Sequence, residues 1–120
     1  MASKKHNNDA AAVTINVALP YGDIGYINNI VYVETFEGLT TDELGLTIMR
    51  YFYHYKCTDL VLDSSGNGLG VYDVIIKETY DPQLGITYDA LCACNDENMA
   101  SRCKVKNAKK CVWCIKASAD

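Results

Sequence analysis

The sequence predicts an α/β fold: a β-hairpin that feeds alternating strands and helices. Three observations predict it. Two β-branched apolar runs flank a short turn rich in glycine and proline near the start of the chain. The hydrophobic period then changes from two to near 3.6 behind a helix-capping pattern. The run "DLVLD" follows that helix, apolar on successive positions, as suits a central parallel strand.

Taken in order, residues 11–19 ("AAVTINVAL") read as a strand, "PYGDIG" as the turn, and residues 26–36 ("YINNIVYVETF") as the second strand of an antiparallel hairpin. Thr40 and Glu43 form a capping box, and Leu44, Ile48, Tyr51, Phe52 and Tyr55 recur at helical spacing. The strand "DLVLD" comes next. A second helix is expected from about Leu69 to Thr79, stopped by Asp81-Pro82. "ITYDALCAC" reads as one strand, "NDENMASRC" as a short helix, and Cys111 to Lys116 as the last strand.

A chain of 120 residues is long enough for one compact domain, and with 49% apolar residues it can build a packed core. The formal charge of −4 argues against a wholly basic nucleic-acid-coating protein but permits a local basic groove. No apolar run approaches the roughly 20 residues that span a bilayer, and "MASKKHNNDAAA" lacks a signal core. The expectation is a cytoplasmic protein whose six cysteines are free thiols or metal ligands. Both ends of the chain read as cut, with Met1 as an internal methionine of a longer protein or the frame truncated.

The stretch "LVLDSSGNGLGVYD" carries the main functional question. Parallel α/β sheets place their sites at the carboxyl ends of strands, where Asp63 is expected. Asp63 is then solvated, or accepts N–H bonds from the turn, or holds a cation. Gly66, Gly68 and Gly70 permit positive φ and close backbone approach. The spacing is not that of a dinucleotide loop, and no Gly-Lys-Ser/Thr follows, so it is not a P-loop.

"VLDSSGNGLGVYDVIIKETYD" resembles the Asp-x-x-Gly-x-Gly-x-Gly-Val-x-Asp segment in the nuclease domain of phage terminase large subunits. "KKHNNDAAAVTINVAL", "IVYVETFEGLTTDELGLTIMRYFYHYKCTDLVLD", "YDALCACNDENMASRC" and "CVWCIKA" resemble the surrounding strands and helix of that domain, in the same order. The resemblance implies a ribonuclease H-like mixed sheet and two Mg²⁺ or Mn²⁺ ions that hydrolyse phosphodiesters in double-stranded DNA. It implies Asp63 as a metal ligand and the catalytic residue of this chain. Asp9 is a weaker candidate beside the metals, with a plain turn aspartate as its other reading. Asp73 reads as a charge near a helix N-terminus.

On this resemblance the chain lacks the family's first strand with its aspartate, a further aspartate beyond Asp120, and the ATPase motor domain. It implies a partial nuclease domain over residues 1–120, with little or no activity alone. Its partners in the intact protein would be the terminase small subunit and the portal, in the host cytoplasm. A catalytically inactive DNA-binding or assembly module of the same fold is the alternative.

Two further clusters stand apart from that motif. Cys92, Cys94, Cys103, Cys111 and Cys114 admit a structural zinc site and hence a small zinc-stabilised interaction domain. Strand geometry argues against it, placing Cys92 and Cys94 on one face and Cys111 and Cys114 on opposite faces. Buried small hydrophobes are the other reading. Arg102, Lys104, Lys106, Lys109, Lys110 and Lys116 gather late in the chain. They read as a solvated loop or as phosphate contacts, with Lys104, Lys106, Lys109 and Lys110 as the DNA-contact candidates. His6 and His54 stand alone. The tyrosines of "YFYHY" read as packing residues rather than base-stacking platforms.

Overall fold

The computed structural model describes residues 11–21 and 25–116. The chain divides into two compact units, Met1–Leu39 and Thr40–Asp120. In the first, strands β1 (Ala11–Tyr21) and β2 (Gly25–Phe36) pair antiparallel, from Ala11 opposite Phe36 to Tyr21 opposite Gly25. An irregularity between Ile15 and Asn16 shifts the register. This is the expected hairpin, and the two strands form a sheet of their own.

The second unit is an α/β fold. Helix α1 (Thr41–His54) opens with the expected capping box. The Glu43 N–H donates to Thr40 Oγ1 at 3.1 Å, and the Thr40 N–H donates to Glu43 Oε1 at 2.9 Å, so two orphan donors are satisfied reciprocally. The helix ends with Lys56 at φ 55° and the Cys57 N–H on the Phe52 carbonyl at 2.9 Å. That is a Schellman closure with lysine where glycine is usual.

Strand β3 (Leu60–Asp63) leads through a tight turn into helix α2 (Asn67–Ile75). Then come β4 (Thr79–Asp81), β5 (Ile86–Tyr88), β6 (Leu91–Ala93), the single-turn helix α3 (Glu97–Ala100) and β7 (Lys109–Ile115). β3, β7 and β6 form a parallel three-stranded sheet in that order, and β4 and β5 form a separate antiparallel pair. The core gathers Met49 and Phe52 of α1, Tyr72 and Ile75 of α2, and Leu91, Ala93, Val112 and Cys114 of the sheet.

Four expectations are corrected. β3 is parallel, as expected, but lies at the edge of its sheet. Leu60 and Leu62 pack on the core while Val61 is 64% exposed, so its apolar run is covered on one face only. α2 begins before Leu69 and ends well before Thr79, because residues 79–81 pair with β5 instead of continuing the helix. "ITYDALCAC" is not one strand: it breaks after Tyr88 and serves two sheets.

The fourth correction concerns the cysteines of β7. Cys92 pairs with Lys110 but Ala93 pairs with Val112, so Cys111 is an inserted residue. The bulge shifts side-chain parity. Cys111 and Cys114 both turn into the core instead of to opposite faces. Among the described residues, no helix is long and apolar enough to cross a membrane.

Candidate functional site at the strand-to-helix turn

Asp63 ends β3, opposite Ile115 at the end of β7. It therefore occupies the carboxyl edge of a parallel sheet, as expected. Its Oδ1 accepts the Ser65 N–H at 3.0 Å and the Ser65 hydroxyl at 2.6 Å. This local turn, in which an aspartate mimics a backbone acceptor, reverses the chain toward α2. Ser64 is buried, and both its N–H and its hydroxyl donate to the Ile115 carbonyl, at 2.8 and 3.1 Å. The turn is thereby fastened to β7. Of the three readings of Asp63, acceptance from the turn is realised, with the carboxylate still exposed.

Each glycine of "GNGLG" has its own steric cause. Gly66 precedes α2 at φ 55°. A Cβ on Gly68 would fall on the Asp63 carbonyl oxygen, well inside van der Waals contact. A Cβ on Gly70 would meet Thr41 Cγ2 at 3.0 Å, where α2 crosses the start of α1. Further along the same crossing, a Cβ on Gly45 would meet Val74 Cγ1 at 2.6 Å. The glycines set a tight turn and a close helix pair.

Asp73 lies in the last turn of α2, not near its N-terminus, because the helix starts and stops earlier than expected. Its carboxylate takes a fork from Arg102, at 2.9 Å from Nε and 2.6 Å from Nη2. The guanidinium holds the Asp73 pKa below the usual carboxylate value. Asp9 and His6 lie outside the described residues. Among the described residues, no three His, Cys, Asp or Glu side chains come together to hold a metal ion.

The five cysteines of the later half do not form a tetrahedral set. Cys92, Cys111 and Cys114 are buried, Cys103 is half-buried and Cys94 is exposed. Burial pushes the Cys111 thiol up to about 11 and raises Cys92 and Cys114 as well. These thiols behave as small hydrophobes.

The basic side chains Arg102, Lys104, Lys106, Lys109, Lys110 and Lys116 are all exposed. Arg102 is committed to Asp73. Lys104 Nζ donates to the Ser101 carbonyl at 3.1 Å, and Lys109 Nζ sits 4.8 Å from the centre of the Tyr53 ring. Lys109 and Lys110 begin β7, and Lys104 and Lys106 precede it in the loop after α3. Asp63 lies level with Ile115 at the other end of that strand. Six residues of strand separate Lys109 from Ile115, about 20 Å at 3.3 Å per residue. The candidate metal ligand and the candidate phosphate contacts thus occupy opposite ends of one sheet.

Among the tyrosines, Tyr53 stacks on Tyr88 with centroids 5.3 Å apart and donates to the Asp89 carbonyl at 2.9 Å. Tyr51 and Tyr55 contact each other at 6.3 Å, and the exposed His54 ring meets Tyr55 at 4.7 Å.

Sequence reasoning missed the most strongly perturbed group. Asp81 is fully buried and accepts from Arg50 Nε at 2.8 Å, Arg50 Nη2 at 2.9 Å, the Tyr88 hydroxyl at 2.7 Å and the Gln83 N–H at 3.0 Å. The Arg50 fork holds its pKa far below the carboxylate range despite burial. Every acceptor position faces a donor from this unit, so the group ties the β4–β5 hairpin to α1. "TYDPQLGITY" held the signal for that hairpin: two β-prone triplets around a Pro and Gly loop. Comparison with protein-family models, with curated proteins and with solved structures finds no match to this chain.

Proposed function

We propose that this chain is a non-catalytic α/β module that binds the phosphate backbone of DNA. One observation carries the reading. Residues 98–119 contain six of the chain's 11 Lys and Arg and none of its 15 Asp and Glu. The acidic remainder makes this segment the place where a polyanion is attracted rather than repelled. Its lysines are exposed, and Lys104, Lys106, Lys109 and Lys110 follow one another along the loop and into β7. Such contacts give affinity without base readout.

The test is the salt dependence of binding to a short duplex. With four phosphate contacts, log K falls against log salt with a slope of about −3.6. Between 50 and 200 mM salt this is a loss of roughly 150-fold. Lys104→Ala and Lys106→Ala each reduce the slope by about 1. Absence of binding at 50 mM salt, or a slope untouched by both substitutions, rejects the reading.

A second reading is favoured by the place of Asp63 at the carboxyl edge of β3. In it the chain is part of a terminase-type, ribonuclease H-like nuclease domain, with Asp63 as one ligand of a Mg²⁺ or Mn²⁺ pair. The remaining carboxylates would come from outside the described residues. Mn²⁺-dependent nicking of plasmid DNA that Asp63→Asn abolishes would favour it over the binding module. Retained DNA binding without nicking would favour the module.

A further inference from the structure

We propose that the outer face of strand β7 is a base-stacking platform, with Trp113 as the stacking ring and Lys110 as its phosphate contact, so that the DNA this chain binds is single-stranded. The inference rests on the reading of the chain as a DNA-binding module and names the form of DNA that suits it. Of the tyrosine, phenylalanine and tryptophan side chains exposed among the described residues, Tyr55 caps α1 and Tyr80 belongs to β4. Trp113 alone stands on the parallel sheet, 45% exposed in β7.

The bulge in β7 decides which side chains share a face with it. Lys110 is the register partner of Cys92, and Val112 that of Ala93, with Cys111 inserted between them. The Cys94 N–H then donates to the Val112 carbonyl at 2.8 Å, which sets Cys94 level with Trp113. Cys92 and Cys94 are two residues apart and share a face, so Lys110 and Trp113 share it too. Strict alternation over positions 110 and 113 would have put them on opposite faces. Two steps of the ladder, about 7 Å, separate them along the sheet. One nucleotide bridges that span from its base to its phosphate. Lys109, the partner of Leu91, lies on the other face, over the Tyr53 ring.

Beyond Lys110 the outer face is apolar. Val61, the register partner of Trp113 in β3, is 64% exposed, and Ile115, two residues on, is 48% exposed. Parallel sheets are ordinarily covered on both faces, and here this one is open. The indole Nε1–H donates to Asp59 Oδ1 at 3.1 Å. That bond satisfies the one polar atom of the ring and holds its orientation, leaving the π face to offer a ligand. Asp63 lies opposite Ile115, and Asp96 and Glu97 line a surface cleft with Lys110 and Cys94. These carboxylates turn a phosphate chain away from the carboxyl edge of the sheet, toward Lys104 and Lys106 in the loop before β7. A duplex keeps its base faces in its own stack and offers the lysines only phosphates. An unpaired strand offers both, and stacking on an aromatic side chain tolerates any sequence.

The test uses the full chain, with its single tryptophan as the reporter. Oligo-dT of about 10 nucleotides, oligo-rU and a DNA duplex of the same length are titrated at about 50 mM salt. Oligo-dT quenches the Trp113 emission, and the duplex leaves it unchanged. With labelled oligo-dT followed by anisotropy, Trp113→Ala weakens binding by about 5- to 150-fold, the worth of one stacked base. Trp113→Phe, which keeps a ring, recovers most of that loss. Duplex binding by Trp113→Ala stays at the wild-type value, which also shows that the variant is folded. Binding of both DNAs with a lysine-dependent salt slope, but with emission unmoved or Trp113→Ala neutral, overturns the platform and leaves the DNA-binding reading standing. No binding of either DNA overturns both. Tighter binding of oligo-rU than of oligo-dT overturns the assignment to DNA. Emission that shifts with protein concentration alone, together with a dimer in sedimentation, gives this face to a second copy of the chain and overturns the proposal.

Discussion

Replacing Asp81 with asparagine removes one charge from the most enclosed polar group of the Thr40–Asp120 unit and keeps its shape. The side chain is 0% exposed and holds the Arg50 fork, the Tyr88 hydroxyl and the Gln83 N–H. Breaking a buried ion pair by removing one partner costs about 3–5 kcal/mol. Arg50 is 25% exposed and can turn partly to water, which favours the lower end, about 3 kcal/mol. A unit of this size is stabilised by roughly 4–12 kcal/mol in all. The loss corresponds to a fall in Tm of about 12–24 °C.

The pH dependence has a definite sign. The folded pKa of Asp81 is lowered, so its contribution is present above the unfolded carboxylate pKa of about 3.9 and is lost as pH falls toward the folded value. Wild type therefore loses stability on acidification below about pH 5, and Asp81→Asn has a flatter acid limb. Thermal melts by circular dichroism between pH 3 and 7 measure both effects. A Tm within about 3 °C of wild type at pH 7, with an unchanged acid limb, would refute the reasoning.

Two other substitutions test the packing around the candidate site. The buried Tyr72 hydroxyl donates to the Met99 carbonyl at 2.7 Å and accepts the Ala93 N–H at 3.2 Å, and burial pushes its pKa up to about 12. Tyr72→Phe removes both of these hydrogen bonds, although the Met99 carbonyl keeps the Arg102 N–H at 3.1 Å, and lowers stability by about 1–3 kcal/mol in urea melts at unchanged m-value; a loss below ~0.5 kcal/mol contradicts the network. Gly68→Ala drives a methyl into the Asp63 carbonyl and costs about 1–3 kcal/mol, while an alanine tolerated without loss shows that the turn is not closed by that contact.

Much of the fold was legible because it was local. The β1–β2 hairpin, the capping box at Thr40 and Glu43, and the short helix behind Asp96 rest on residues within a few positions of each other. What was misread depended on partners far away in sequence. The run Leu60–Asp63 is apolar enough for a central strand, and only the order β3-β7-β6 puts it at an edge. The extent of α2 was misjudged because helical propensity continues past Ile75, and the pairing of Thr79 with Tyr88 ends it. Arg50 and Asp81 are 31 residues apart, with no pattern in the sequence to join them. The inserted Cys111 belongs to the register between two strands and inverts the facing that strict alternation assigns to it.

The candidate site was legible in position but not in purpose. Asp63 stands where a parallel sheet offers its sites, yet its Oδ1 is engaged by Ser65 in closing the turn. The glycines that invited a ligand-binding reading are each required by a neighbour: Gly68 by the Asp63 carbonyl and Gly70 by Thr41. A glycine forced by the chain's own backbone carries no information about a ligand, because the same residue would be needed without one. The basic segment differs in this respect. Folding needs no six cations on exposed positions free of interspersed acids; among the described residues only Arg102 of the six closes a salt bridge, with Asp73. Lys104 and Lys109 make local contacts with the Ser101 carbonyl and the Tyr53 ring, and among the described residues no ion pair neutralises the charge of Lys104, Lys106, Lys109 or Lys110. Mutual repulsion along the segment opposes compactness, and a polyanion relieves that repulsion on binding. The sign of the salt effect follows: added salt screens the lysines and stabilises the free protein, while it weakens the complex with DNA. A protein in which salt moved both quantities in the same direction would not be using this segment as a phosphate-binding surface.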